Sequence, residues 1–239
     1  MSFDDPLLWT ALLKIIGVNI VLSGDNAVVI ALAARSLPAR QQKQAIFWGS
    51  AAAIIMRIVL TLFAVALLAL PWLKLIGSVL LLWIGVKLLI PEEEDPDITA
   101  SDNLWFAIRT ILIADLVMSL DNVIAVAAAA GGHWGLMIIG LAISIPIVIF
   151  GATLLVKLME RWPIIITIGA ALIGFVAGEM AWEDSAIDAW TSPYPATMKY
   201  AAAVVGAVLV VALGRWLGRR AETRSQAARS KKGSDSTAR

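Results

Sequence analysis

Two stretches of this chain carry the same polar side chains inside long apolar runs. The first reads Asn19-Ile-Val-Leu-Ser23-Gly-Asp25-Asn26, and the second Asp115-Leu-Val-Met-Ser119-Leu-Asp121-Asn122. Carboxylate, amide and hydroxyl oxygens are hard donors. Such a set suits divalent cations such as Mn²⁺, Mg²⁺ or Ca²⁺ better than zinc or copper. Three carboxylates, Asp25, Asp115 and Asp121, balance a dication with one negative charge to spare. An ionisable residue at membrane depth is costly and marks function by default. The plainer alternative is a hydrogen-bond network between helices, but packing does not require a duplicated Asp-Asn pair.

The spacing sets the geometry. Asn19, Ser23 and Asn26 recur at i, i+4 and i+7, so they share one helix face, as do Asp115, Ser119 and Asn122. On a regular helix Asp25 and Asp121 fall about 120° away from Asn19 and Asp115. Either each Asp faces a different neighbour or the helix breaks near Ser23-Gly24, which would free carbonyls as further ligands. Leu120 replaces Gly24 in the second copy, so a break is less expected there.

Four more residues are accessory candidates: Ser23, Ser119, Arg57 and Glu179. Arg57 falls near the middle of an apolar run. A cation there must meet Asp25, Asp115 or a carbonyl, or else reach water; as a partner it holds the empty site neutral and yields to metal. Glu179 closes a later run and fits an outer mouth or a solvated interface. Glu183, Asp184 and Asp188 read as solvated loop carboxylates. The acidic run Glu92-Glu93-Glu94-Asp95-Pro96-Asp97 reads first as a solvated linker, and second as a collector of cations. The chain has no cysteine and one histidine, His133, which excludes thiolate chemistry and multi-imidazole metal centres.

The elements that must position these residues are membrane helices. Among 239 residues 60% are hydrophobic and 15% charged, and the mean hydropathy is +0.84. About 20 helical residues cross a bilayer, and seven runs qualify, at about 7–34, 45–70, 73–90, 104–130, 136–159, 164–181 and 200–217. A shift of 96 residues superposes Leu8-Trp9 on Leu104-Trp105 and Asp25-Asn26 on Asp121-Asn122. Pro71 and Pro163 then precede third helices that open with Ile76-Gly77 and Ile168-Gly169. Because a unit of three helices is odd, its second copy enters from the opposite side. Such inverted repeats place substrate sites near the midplane. The fold class is therefore an all-α polytopic membrane bundle of seven helices, a 3+3 inverted repeat plus one C-terminal helix. The membrane domain covers 1–220, with repeats at about 7–90 and 104–181 and helix seven at 200–217. Residues 221–239 read as a disordered basic tail. The Lys/Arg bias puts the N-terminus outside and the C-terminus in the cytoplasm. The first run follows Asp4-Asp5 rather than a basic segment and reads as a retained helix.

With these motifs in place, the chain resembles the TerC family of bacterial integral membrane proteins, in its shorter YjbE-like branch, within the wider LysE-type exporter superfamily. The resemblance covers about residues 7–217 and rests on the two Asp-Asn motifs and the Ser144-Ile-Pro146 helix between them. It implies Mn²⁺ export, with Asp25, Asn26, Asp115, Asp121 and Asn122 at the family's motif positions, and a bacterial plasma-membrane location. Nothing in the residues speaks to tellurite. The reading is thus a divalent-cation exporter using Asp25, Asn26, Asp115, Asp121, Asn122 and Asn19. It needs no permanently bound cofactor and is not an enzyme. Its partners are the metal substrate and membrane lipids, not nucleic acid, and a homo-oligomer is compatible with the sequence. Export of a small organic cation or amino acid is the main alternative. An intramembrane aspartyl protease is a weaker one, because neither Asp motif is complete for it.

Overall fold

Hydrocarbon offers the backbone no hydrogen-bond partner, so apolar spans close their bonds internally as helices. The computed structural model describes residues 6–22, 24–63, 70–90, 100–130 and 134–237. Among them are nine α-helices, one short 3₁₀ segment and no strand. The first six are α1 (Pro6–Leu22), α2 (Gly24–Ala34), α3 (Ala39–Leu62), α4 (Leu73–Leu89), α5 (Ala100–Ala130) and α6 (Trp134–Arg161). Then come α7 (Ile164–Trp182), the short α8 (Asp188–Thr191) and α9 (Met198–Thr237).

The expected first helix comprises two segments, α1 and α2, on either side of Ser23, which lies outside the described residues. Asp25 stands in the first turn of α2 and accepts the Asn26 N–H at 2.8 Å. Its counterpart α5 runs unbroken through Leu120. Two boundaries differ from expectation. α3 starts at Ala39, behind Pro38, because the polar stretch that opens it is rich in helix formers. The segment from 221, read as disordered, is helical to Thr237. Ala, Arg, Gln and Lys favour helix, and α9 supplies the costly nucleus.

Five described segments are long and apolar enough to cross a membrane: 39–62, 103–120, 137–161, 164–182 and 198–221. The seven-span reading therefore depends on shorter pieces, α1 with α2, and the 17-residue α4. Large apolar side chains point outward, among them Phe150, Ile55 and Val208. Trp9, Trp48, Trp105 and Trp162 are exposed near helix ends, as an aromatic belt requires.

The two repeats interlock. α3 lies chiefly along α5, while α1 and α2 lie chiefly along α6, and α4 packs on α7. Two close contacts fix the register. A Cβ at Gly49 would meet Ile111 Cδ1 at 2.8 Å, and one at Gly140 would meet Ile15 Cγ2 at 2.5 Å. Ile15 and Ile111 are related by the 96-residue shift, but Gly49 and Gly140 by 91. The buried face of α3 (Ile46, Gly49, Ser50, Ala53) maps at that offset onto the buried face of α6 (Met137, Gly140, Leu141, Ser144). Arg57 thereby corresponds to Val148.

A second layer backs this core. Gly174 and Gly178 of α7 meet the backbone of α9 at Gly206 and Ala202, and Gly85 of α4 abuts Val210. Asp184 corrects the solvated reading: it is 2% exposed. Its Oδ1 accepts the Trp72 and Ala186 N–H groups at 3.0 and 2.7 Å, and its Oδ2 accepts the Leu75 N–H at 2.9 Å. It thus caps α4 from the far loop and holds Trp72 at φ 70°. Burial alone pushes the Asp184 carboxyl up, but the N–H groups of Ala186, Leu75 and Trp72 outweigh it and hold the group below the usual carboxylate value.

Candidate functional site

Where α3 crosses α5, a cation is buried at membrane depth. Arg57 is 2% exposed and Asp115 5% exposed. Arg57 Nη2 donates to Asp115 Oδ1 at 2.5 Å, and Arg57 Nε donates to Ser119 Oγ at 3.0 Å. Ser119 Oγ in turn donates to Asp115 Oδ2 at 3.2 Å. The i, i+4 spacing of Asp115 and Ser119 stacks both acceptors on one face of α5. The Arg57 carbonyl also accepts from Thr61 Oγ1 at 2.7 Å. A lone guanidinium in hydrocarbon would be untenable; this triad leaves it paired on two sides.

Arg57 and Asp115 border a cavity of about 10 Å³, near the roughly 10–15 Å³ that one water molecule needs. Asn26 of α2, Ser50 and Arg57 of α3 and Asp115 of α5 form its polar wall; Ile30, Ile54 and Val148 are among the residues closing it. Both repeats and four helices therefore contribute. Asp25 is half-buried and within electrostatic reach of Arg57 and Asp115.

Of the residues expected from sequence, the structure gathers Asn26, Arg57, Asp115 and Ser119, with Asp25 nearby. Asn122 is half-buried on α5. Asn19 and Asp121 lie in α1 and α5, but their side chains lie outside the described residues, as do Ser23, His133 and the acidic run 92–97. Among the described residues no three His, Asp or Glu side chains cluster as a resident metal centre would. Glu179 stands apart from this cavity, paired with Lys199 at 2.9 Å; Glu183 meets Lys199 at 3.2 Å and Lys74 at 3.5 Å. That ion network ties α4, α7 and α9 together at one end of the bundle.

Sequence reasoning missed Ser50. It lies seven residues before Arg57, on the same helix face, and that spacing was the available signal.

Comparison with known proteins agrees in kind. The model of the family described as "Integral membrane protein TerC family" matches residues 4–222. The membrane protein YjbE of Bacillus subtilis is 48% identical over 174 residues, 73% of this chain and 80% of its own. YkoY of the same organism is 28% identical over 207 residues, covering 76% of this chain and 63% of YkoY. The inner membrane protein YgdQ of Escherichia coli is 29% identical over 177 residues, 66% of this chain and 74% of its own. No solved structure matches the chain significantly.

Proposed function

The chain belongs to the integral membrane protein TerC family, and on that premise we propose that it exports a divalent metal cation, Mn²⁺ before others, across the bacterial plasma membrane. The observation that carries this reading is the buried Arg57–Asp115 pair beside a small cavity, lined in part by polar side chains, that both repeats share. A structural ion pair needs no cavity, and a packed core needs no charge. In the proposed cycle Arg57 is the counter-ion of the empty site. An arriving dication brings more charge to Asp115 and Asp25 than the guanidinium does, and displaces it. Asp121, Asn122, Asn26 and Asn19 supply the remaining oxygens. When cargo leaves, Arg57 returns to Asp115, so the unloaded carrier resets without leaving that carboxylate bare in hydrocarbon.

Inverted repeats support alternating access around a fixed site. The small cavity with its Ile30, Ile54 and Val148 walls favours a bare ion over an amino acid or organic cation. The Lys/Arg bias supports a cytoplasmic C-terminus; a cysteine placed at Ser2 should label only from outside, and labelling only from the cytoplasm would reverse the orientation. The decisive test is metal flux in proteoliposomes across a divalent series, with Asp115→Asn alongside. Mn²⁺ should move in the parent protein and not in the variant. Clear preference for copper or zinc would overturn the selectivity, and equal flux in Asp115→Asn would overturn the site.

A further inference from the structure

Buried and half-buried hydroxyls on these helices generally bond to their own backbone. Thr61 donates to the Arg57 carbonyl, Thr110 to Phe106, Ser144 to Gly140 and Thr153 to Ile149, at 2.7, 2.9, 2.9 and 2.7 Å. Each thereby satisfies its hydroxyl four residues back, the usual arrangement on an apolar helix. Ser50 does not. It is 1% exposed, and its Oγ has no hydrogen-bond partner among the described residues. It lines the cavity beside Asn26, Arg57 and Asp115. A buried hydroxyl left without a partner is destabilising, so its retention calls for a reason.

Close packing is not that reason. Ser50 follows Gly49, which sits against Ile111, and a small residue there could be read as part of the contact. The chain's own second copy tests this. Gly140 makes the matching contact with Ile15, and the residue after it is Leu141, fully buried. The position accepts a large apolar side chain. A hydroxyl appears only in the half that carries the charged pair.

We propose that Ser50 is a direct ligand of the transported cation, its Oγ joining Asn26 and Asp115 as a hard oxygen donor once Arg57 has withdrawn. The inference rests on the cation-export reading and adds to it a ligand from α3, a helix that otherwise gives the site only a competing cation. An uncharged hydroxyl contributes no charge to the balance. It instead favours cations that accept neutral oxygen donors, in keeping with Mn²⁺ over soft metals.

The chain has no cysteine, so Ser50→Cys introduces a single thiol, a soft donor in place of a hard one. The full-length variant is titrated with Cd²⁺ in detergent and assayed for Cd²⁺ and Mn²⁺ flux in proteoliposomes. The expected result is an ultraviolet thiolate-to-Cd²⁺ charge-transfer band and a preference for Cd²⁺ over Mn²⁺ raised about tenfold or more. Ser78→Cys is the control, because Ser78 is equally buried in α4 but bonded to the Leu75 carbonyl; it should give neither. Ser50→Ala covers the case in which the thiol prevents folding. It should weaken Mn²⁺ binding roughly tenfold. If the Ser50→Cys protein binds Cd²⁺ without the band, or Ser50→Ala binds Mn²⁺ like the parent, Ser50 is not a ligand, and the transport reading stands on the parent's flux. If the parent binds and moves no divalent cation at all, both fall.

Discussion

The two halves of the bundle share a fold but not a charge. In the first, α3 brings Arg57 against Asp115 of the opposite repeat. In the second, the corresponding positions are Val148 on α6 and Asn19 on α1. An ideal two-fold would hold two identical crossings, one charged pair at each. This chain has a charged pair at one crossing and neutral residues at the sequence positions that correspond to the other, and the cavity has Arg57 on one wall and Val148 on another. The lesson is that two halves of related sequence need not carry related charges. On the cation-export reading, one movable cation pairs Asp115 when the site is empty and leaves it to the cargo; a second would hold the site against that cargo.

The largest expected effect comes from making the halves alike. Arg57→Val leaves Asp115 buried without its counter-ion and should destabilise the protein by about 3–5 kcal/mol. Adding Asp115→Asn copies the neutral crossing and should restore most of that loss, since a buried pair replaced on both sides is often neutral in stability. Transport should vanish in both variants. Thermal unfolding in detergent, with Mn²⁺ flux in proteoliposomes, separates the outcomes. If the double variant is no more stable than Arg57→Val alone, the pair is not coupled and the comparison fails.

Asp25 and Asp121 occupy equivalent positions, and here the halves should behave alike. Each Asp→Ala change is expected to abolish flux while the protein stays folded in membranes. Full flux in one variant would remove that residue from the site and make the ligand set one-sided.

The shared packing register predicts a smaller, graded effect. A Cβ added at Gly140 would press on Ile15 Cγ2 at 2.5 Å and Cβ at 3.1 Å, the root of the side chain. One added at Gly49 would press mainly on Ile111 Cδ1 at 2.8 Å, a tip that can turn aside. Gly140→Ala should therefore cost about 1–3 kcal/mol, within the range for overpacking, and Gly49→Ala less. Unfolding midpoints in the reverse order would show that the two contacts are not counterparts.

The sequence carried the helical class and the membership of Arg57 and Asp115 in one cluster. Both follow from large costs: polar backbone and lone charges are untenable in hydrocarbon, so their placement leaves a pattern. What stayed hidden involves small energy differences. The change of offset from 96 to 91 residues between first and second helices has no polar anchor to mark it. Ser50 looks like any other small residue of a packed helix. The basic extension after Leu217 is solvated either as coil or as helix. Asp184 resembled its solvated neighbours Glu183 and Asp188 because nothing in a local window shows that α4 begins beside it.

That last residue gives the smallest and most specific test. Asp184, in the loop that follows the second half, caps the third helix of the first half through Trp72 and Leu75. At the offset of the third helices its counterpart is Glu92, outside the described residues. Asp184→Asn should cost about 0.5–2 kcal/mol near neutral pH, the scale of a lost helix cap. The pH dependence identifies the carboxylate as the cause. Because the folded state holds this carboxyl below its ordinary value, its stabilisation is fully present above about pH 3.9, the unfolded value, and is lost as pH falls through the lower folded one. The gap in unfolding midpoint between the parent and Asp184→Asn should therefore be constant from about pH 7 to 5 and close below about pH 3.9. A gap that persists unchanged at pH 3 would mean that shape, not charge, joins this loop to α4, and that the charge contacts tying the two halves are Arg57–Asp115 and Lys74–Glu183.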